Sequence, residues 1–171
     1  MQTEILPEVW LRGPVPDITT SLQPAAQSLL QTVEELHLIL LDFPDELLIE
    51  EVAEKATAAF HLRHMTGVVD RMLTYAKGLQ LTEQQFSNLA NEKSKSPIPS
   101  RLDLKNAFIA KVDEAIAYFK TLKEEDLTAF RGVGRKQLPS TVLGVLYHAA
   151  EHAQRHLGQL LVTVSVLKST K

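Results

Sequence analysis

Apolar residues recur along this chain at helical rather than strand spacing. From Ile18 to Phe43, the residues Leu22, Ala26, Leu29, Val33, Leu36, Leu40 and Phe43 alternate four and three positions apart, which predicts a helix packed in a bundle. Pro24 falls in the first turns of that helix, where a missing N–H is tolerated. A second helix is predicted from Thr57 to Lys77. Thr57 supplies an N-cap, Gly78 a C-terminal stop, and His61, Met65, Val68, Met72 and Tyr75 one stripe. Residues 45–56 fit either a loop or a helical extension. Thr82 and Gln85 have capping-box spacing and predict a short helix, followed by a polar loop over Asn91 to Ser100.

Ser100 and Asp103 open a third long helix, predicted to run to Leu122 on the seam Leu104, Phe108, Val112, Ala115, Phe119 and Leu122. Phe130 to Pro139 reads as a glycine-containing connector. The last helix is predicted from Ser140 to Lys168. Four long amphipathic helices without a strand-like segment predict an all-α protein, an antiparallel four-helix bundle. Residues 1–171 are expected to form a single domain, with 1–17 as an extended N-terminal segment.

The seam of the last helix is interrupted by polar residues. It runs Val142, Val145, Ala149, His152, His156, Gln159, Thr163 and Val166, so three successive inward positions are His, His and Gln. A buried polar group without a partner costs on the order of 1–3 kcal/mol. Histidines at i and i+4 share a helix face, and such a pair can bind one metal ion. A second cluster, His61 and His64, stands near the start of the second helix, and either residue can supply a third ligand from a facing helix. The competing reading is a set of hydrogen-bonded core histidines. His148 is one turn before His152 but too far along the axis from His156 to share an ion with it. It reads as a residue around the ligands, a rim acid or base, or an exposed helix residue. His37 reads as structural.

Composition narrows the chemistry further. Six histidines and no cysteine exclude disulfides, cysteine-ligated zinc and a cysteine nucleophile, so any metal site must be built on histidine. Eighteen basic and 21 acidic residues give a net charge of −3, and no nucleic-acid partner is expected. No apolar run is long enough to span a bilayer, and the acidic, proline-containing start from Met1 to Pro16 does not read as a signal peptide. A cytoplasmic protein with no membrane partner is expected. Neutral imidazole ligands suit zinc, nickel, copper or iron.

His64 followed by His152-x-x-x-His156-Leu157-Gly158-Gln159 resembles the DinB-like (YfiT-like) superfamily, whose members are described as metal-dependent enzymes. The stretches 60–78, 140–161 and 10–15 carry the resemblance, and the two histidine segments are its diagnostic parts. The shared name with a DNA polymerase implies no polymerase activity. The resemblance implies an antiparallel four-helix bundle, a homodimer, and a nickel or zinc ion held by three histidines. By register with Asp70 these are His64, His152 and His156. His61, His148 and Gln159 remain candidates for supporting those ligands or contacting substrate, and Gly158 is expected to permit close helix approach. The residues just before the glycine-glutamine depart from many relatives, which displaces a rim histidine and an arginine. Relatives imply activation of water or a low-molecular-weight thiol, for hydrolysis or transfer on a small-molecule substrate, that is, a hydrolase or a thiol S-transferase. A non-catalytic metal- or ligand-binding bundle is the alternative. With no cysteine in the chain, any thiol must arrive as a separate molecule. Arg131, Arg135 and Lys136 read as a solvated loop, with an anion-holding role as the lesser alternative. Asp70 reads as paired with a basic neighbour.

Overall fold

The structure is a computed structural model that describes residues 6–170. It is mostly helical. Five α-helices, α1 (Gln23–Ile39), α2 (Ala58–Ala76), α3 (Glu83–Asn91), α4 (Arg101–Phe119) and α5 (Val142–Ser169), are joined by short 3₁₀ turns and one hairpin of β1 (Phe130–Val133) and β2 (Leu138–Thr141). The start of the predicted N-terminal segment, residues 1–5, lies outside the described residues. Within that segment Val9–Arg12 forms a 3₁₀ turn rather than extended chain, fastened to α1 by Val9 N–H donating to Gln31 and by Arg12 on Glu34 at 2.6 Å.

The helix starts follow local chemistry. Thr57 accepts from the Phe60 N–H, and Ser100 accepts from the Asp103 N–H. Thr82 and Gln85 close a reciprocal capping box. Each satisfies an amide at a helix start that has no intrahelical partner. Gly78, just past α2, takes the left-handed conformation at φ 72°. The first helix is shorter than its seam. It begins at Gln23 with Pro24 in its first turn, and Leu40 leaves helical geometry, though Phe43 still folds back into the core.

Each of the four long helices packs on two others. α2 lies chiefly against α5 and also on α4, while α1 lies against α5 and α4. α3 packs chiefly on α2. The core between them holds Leu22, Leu29, Phe43, Met65, Phe108 and Phe119, all fully buried.

Two expectations are corrected. Phe130 to Pro139 is not a plain connector, because Phe130 pairs with Thr141 and Val133 with Leu138 in an antiparallel ladder. Its four-residue strands are too short to leave a readable alternation. Arg131 anchors the hairpin by donating to the Ala76 carbonyl at the end of α2, 2.7 Å away. Arg135 lies over the Phe86 ring, 5.8 Å from its centroid.

The second correction concerns α5. A strict 3-4-3-4 repeat averages 3.5 residues per turn, whereas a straight helix has 3.6 and drifts about 20° per heptad from it. By the third heptad Gln159 and Val166 have rotated outward, and Leu160, Val164 and Leu167 take over the buried face. His156 is the last polar residue before Thr163 to remain buried on that stripe.

Phe108 lies at the centre of this packing. Phe108→Ala is expected to lower unfolding stability by about 3–5 kcal/mol in denaturant titration. A loss below about 1 kcal/mol would mean that α4 does not complete the core.

Candidate metal centre

The contact between α2 and α5 is the most extensive in the fold, and it contains the histidines. His61 and His64 project from the first turns of α2, and His148, His152 and His156 follow one another turn by turn along α5. His64, His152 and His156 each offer a ring nitrogen, and these nitrogens all lie within 4.8 Å of one another. The His64 and His156 ring centroids are 4.5 Å apart, and those of His152 and His156 are 4.8 Å apart.

The hydrogen bonds around the three rings set their tautomers. His64 Nδ1 lies 2.7 Å from Glu92 Oε2 and donates to it, so its Nε2 carries a lone pair when the ring is neutral. That Nε2 is 2.9 Å from Nε2 of His152. His156 Nδ1 is 2.9 Å from Nδ1 of His61, one of them donating, which leaves Nε2 of His156 as its remaining ligand atom. Phe60 stacks on His64 with ring planes 14° apart and limits its rotation.

Glu92 is buried just beyond α3, and its second oxygen accepts from Arg71, 2.9 Å away. Burial alone would push the Glu92 carboxyl up. Hydrogen bonds and charge from His64 and Arg71 outweigh it and hold the group below the usual carboxylate range. A carboxylate bound to the far nitrogen of a histidine is the arrangement that orients metal-binding imidazoles. Gly67 makes room for it. A Cβ there would stand 2.6 Å from Arg71 Nη1 and 2.7 Å from Glu92 Oε1.

This donor set fits a cation better than it fits a closed hydrogen-bond network. With the His64 proton committed to Glu92, His152 Nε2 must be the donor in their mutual contact, which leaves its Nδ1 as a bare acceptor. His152 Nδ1 is the buried side-chain atom among the described residues that has no hydrogen-bond partner. Burial also favours the neutral form of His61, His152 and His156, the form that metal ligation requires. Desolvation, followed by the nearby histidine charges, pushes His156 down to about 4, and desolvation with the His64 charge pushes His61 down to about 4. His152 shifts in the same direction, first through burial.

The remaining candidates separate clearly. His61 is buried and bonded to His156, so it supports the cluster from the second histidine segment. His148 is exposed on the rim, with its Nδ1 2.7 Å from Glu151 and its ring 5.0 Å from that of His152. His148, Glu151 and His152 form a second, more exposed group of converging ligand atoms. Gln159, expected to face inward, is exposed and bonds no histidine among the described residues, because of the helical drift described above. Gly158, expected to allow close helix approach, has no neighbour within 4 Å of where its Cβ would be. Asp70 is paired with Lys111 at 2.7 Å, and His37 is exposed and bonded to the Val33 carbonyl.

Sequence reasoning missed Glu92, Arg71 and Phe60. Glu92 sits in a polar run where nothing distinguishes one acid from a solvated one. Gly67 was the available signal. A mid-helix glycine costs about 1 kcal/mol relative to alanine, and it lies between His64 and Arg71 on one helix face.

A family model described as the DinB superfamily matches residues 20–160, which include both histidine segments. The chain belongs to the DinB superfamily. Among solved structures, a Streptococcus pneumoniae protein aligns at 18% identity over 87% of this chain and 90% of its own, with a TM-score of 0.64. A DinB-like protein from Bacillus cereus aligns at 18% identity over 84% of this chain and 91% of its own, with a TM-score of 0.60. These likenesses show a shared fold. No functionally curated protein matches the chain. Among the described residues no helix is long and apolar enough to cross a membrane.

The buried neutral histidines make the metal-free protein sensitive to acid. His61 and His156 stay unprotonated in the fold down to about 4, but they take up protons near 6.5 once unfolded. The unfolded state therefore binds more protons between those values, and stability is expected to fall as pH drops from about 6.5 towards 4. Carboxylate contributions are lost only below about 4.5, so the upper part of the window reports the histidines. Denaturant midpoints of metal-stripped protein across that range measure it, and a flat profile from pH 6.5 to 4.5 would contradict the assignment.

Proposed function

We propose that the protein is a metal-dependent enzyme holding one divalent ion, nickel or zinc, on His64, His152 and His156. The observation that carries this reading is the convergence of ring nitrogens from His64, His152 and His156 within 4.8 Å of one another, on a cluster where buried His152 Nδ1 has no hydrogen-bond partner. A divalent ion bound by three neutral ligands keeps its full charge, and it would activate a water or a low-molecular-weight thiol for hydrolysis or transfer to a small electrophile.

The chain's own residues do the positioning. Glu92, held by Arg71, keeps the His64 proton on Nδ1 and so presents the Nε2 lone pair. His61 does the same for His156 in the tautomer in which its Nδ1 accepts the His156 Nδ1 proton. Phe60 and the packed core around Met65 restrict water and ring rotation. The ligands stand on two packed helices rather than on loops, which favours a preorganised set.

The same reading takes residues 1–171 as one domain, an antiparallel four-helix bundle with α3 and the hairpin as additions. It acts on a small molecule as a cytoplasmic homodimer, without nucleic acid or membrane as partner. The ring of contacts among α1, α4, α2 and α5 supports the bundle. Exposed Leu38 and Leu41 offer apolar surface to a second copy.

Protein from a metal-replete culture is expected to carry about one divalent ion per chain by elemental analysis. His152→Ala should abolish this, and unchanged occupancy would overturn the ligand set. Glu92→Gln should keep the ligands but weaken metal affinity about 10–100-fold in competition with a chelator. The metal-loaded protein is then screened with thiols plus electrophiles and with ester and amide panels. Turnover that survives in His64→Ala would reject the mechanism. One bound ion with no turnover in any panel would favour the non-catalytic metal-binding module.

A further inference from the structure

Gly158 lies in the middle of α5, where glycine costs about 1 kcal/mol relative to alanine. At Gly67 that cost is offset by the room made for Arg71 and Glu92. Gly158 has no such reason, since a Cβ there would meet nothing within 4 Å. The space it leaves belongs to a cavity of about 850 Å³ between α5 and residues 52–56.

The walls of this cavity have a definite chemistry. Val52, Ala53, Ala56 and Val162 make an apolar surface, and His61 forms the end that adjoins His156. Two cations, Lys55 and Arg155, border it. Arg155 directly precedes the proposed ligand His156 and donates one of its nitrogens to Glu151 at 2.7 Å. The Lys55 ammonium has no ion pair among the described residues. Its position is set by a turn in which Ala53 and Glu54 both stand at positive φ, 49° and 58°. Non-glycine residues held there cost of order 1 kcal/mol or more each, and such strain concentrates at ligand sites.

A second cleft of about 650 Å³ lies on the opposite side of α2, bordered by Glu92, Arg63, Asp70 and Lys111. Its charges are already spent within the protein. Asp70 is paired with Lys111, Arg63 bonds the Ser94 carbonyl, and Glu92 holds His64 and Arg71. The cavity at Gly158 differs in having one cation, Lys55, without an ion pair among the described residues above an apolar floor.

We propose that this cavity binds a small organic anion with an apolar body, beside the metal centre but apart from its ligands, with His61 as the wall they share. Lys55 and Arg155 hold the anionic group, and Val52, Ala56 and Val162 line the apolar part, with Gly158 kept bare to admit it. The binding does not rest on the metal-centre reading.

Octanoate is the probe, titrated calorimetrically into the full chain with its metal and into the His152→Ala variant. It is expected to bind one per chain in both, because His152 does not line the cavity. Octylammonium, with the same tail and opposite charge, should bind at least about tenfold more weakly, as should octanoate to Gly158→Leu and to Lys55→Glu. Lys55 is exposed, so its variant remains informative if the bulkier one misfolds. Gly158→Ala should raise the thermal midpoint, since it removes the glycine penalty without a clash. No octanoate binding in the millimolar range, equal binding of octylammonium, or wild-type affinity in the two pocket variants would overturn the proposal. Octanoate binding in a chain that takes up no metal would leave the pocket standing and sink the metal centre alone.

Discussion

Imidazoles packed between two helices must be kept neutral and must have both ring nitrogens satisfied. Most of the unusual features of this protein follow from that constraint. A helical interior supplies few free backbone partners, because the amides and carbonyls of α2 and α5 are largely used within each helix. The histidines therefore bond one another and one buried carboxylate. His64 reaches Glu92 on one side and His152 on the other, and His61 reaches His156. The network leaves His152 Nδ1 buried without a partner, and that gap gives the cluster its reading as a cation site.

The carboxylate imposes its own demands. Glu92 is buried, and a buried charge is tolerated only when paired. Arg71 pairs with it, Gly67 leaves the space, and α3 with the turn after it carries the acid back across α2. Thus a nine-residue helix that adds nothing to the central core acts as the arm that delivers one oxygen to His64. The opposite face of the cluster is built differently. There α5 and the strained turn at Ala53 and Glu54 enclose open space rather than a polar partner. One side of the centre fixes ring orientation, and the other leaves room.

Much of the helical organisation was legible because it is local. The caps at Thr57, Thr82 and Ser100 act within three residues of themselves, and of the stripe His61, Met65, Val68, Met72 and Tyr75 all but the half-buried Met72 are buried. His152 and His156 were legible because i and i+4 share a face whatever the tertiary structure does. What failed had non-local causes. The seam of α5 drifted off register because a period of 3.5 cannot be told from 3.6 until a helix is long and its partner known. The hairpin after α4 was invisible because its pairing partners, not its own alternation, make it a sheet.

The amino-acid sequence by itself determined where the helices lie, which of their faces are apolar, and that no metal in this cysteine-free chain is held by thiolate. Those properties depend on covalent order and helical geometry alone. Only the tertiary structure decided that Glu92, in a run of solvent-like residues, is the buried partner of His64, and that His61 stands behind His156. It also decided that Gly158 faces a cavity rather than a neighbouring helix. Each of these depends on the distance between groups tens of residues apart, set by how α2, α3 and α5 pack together.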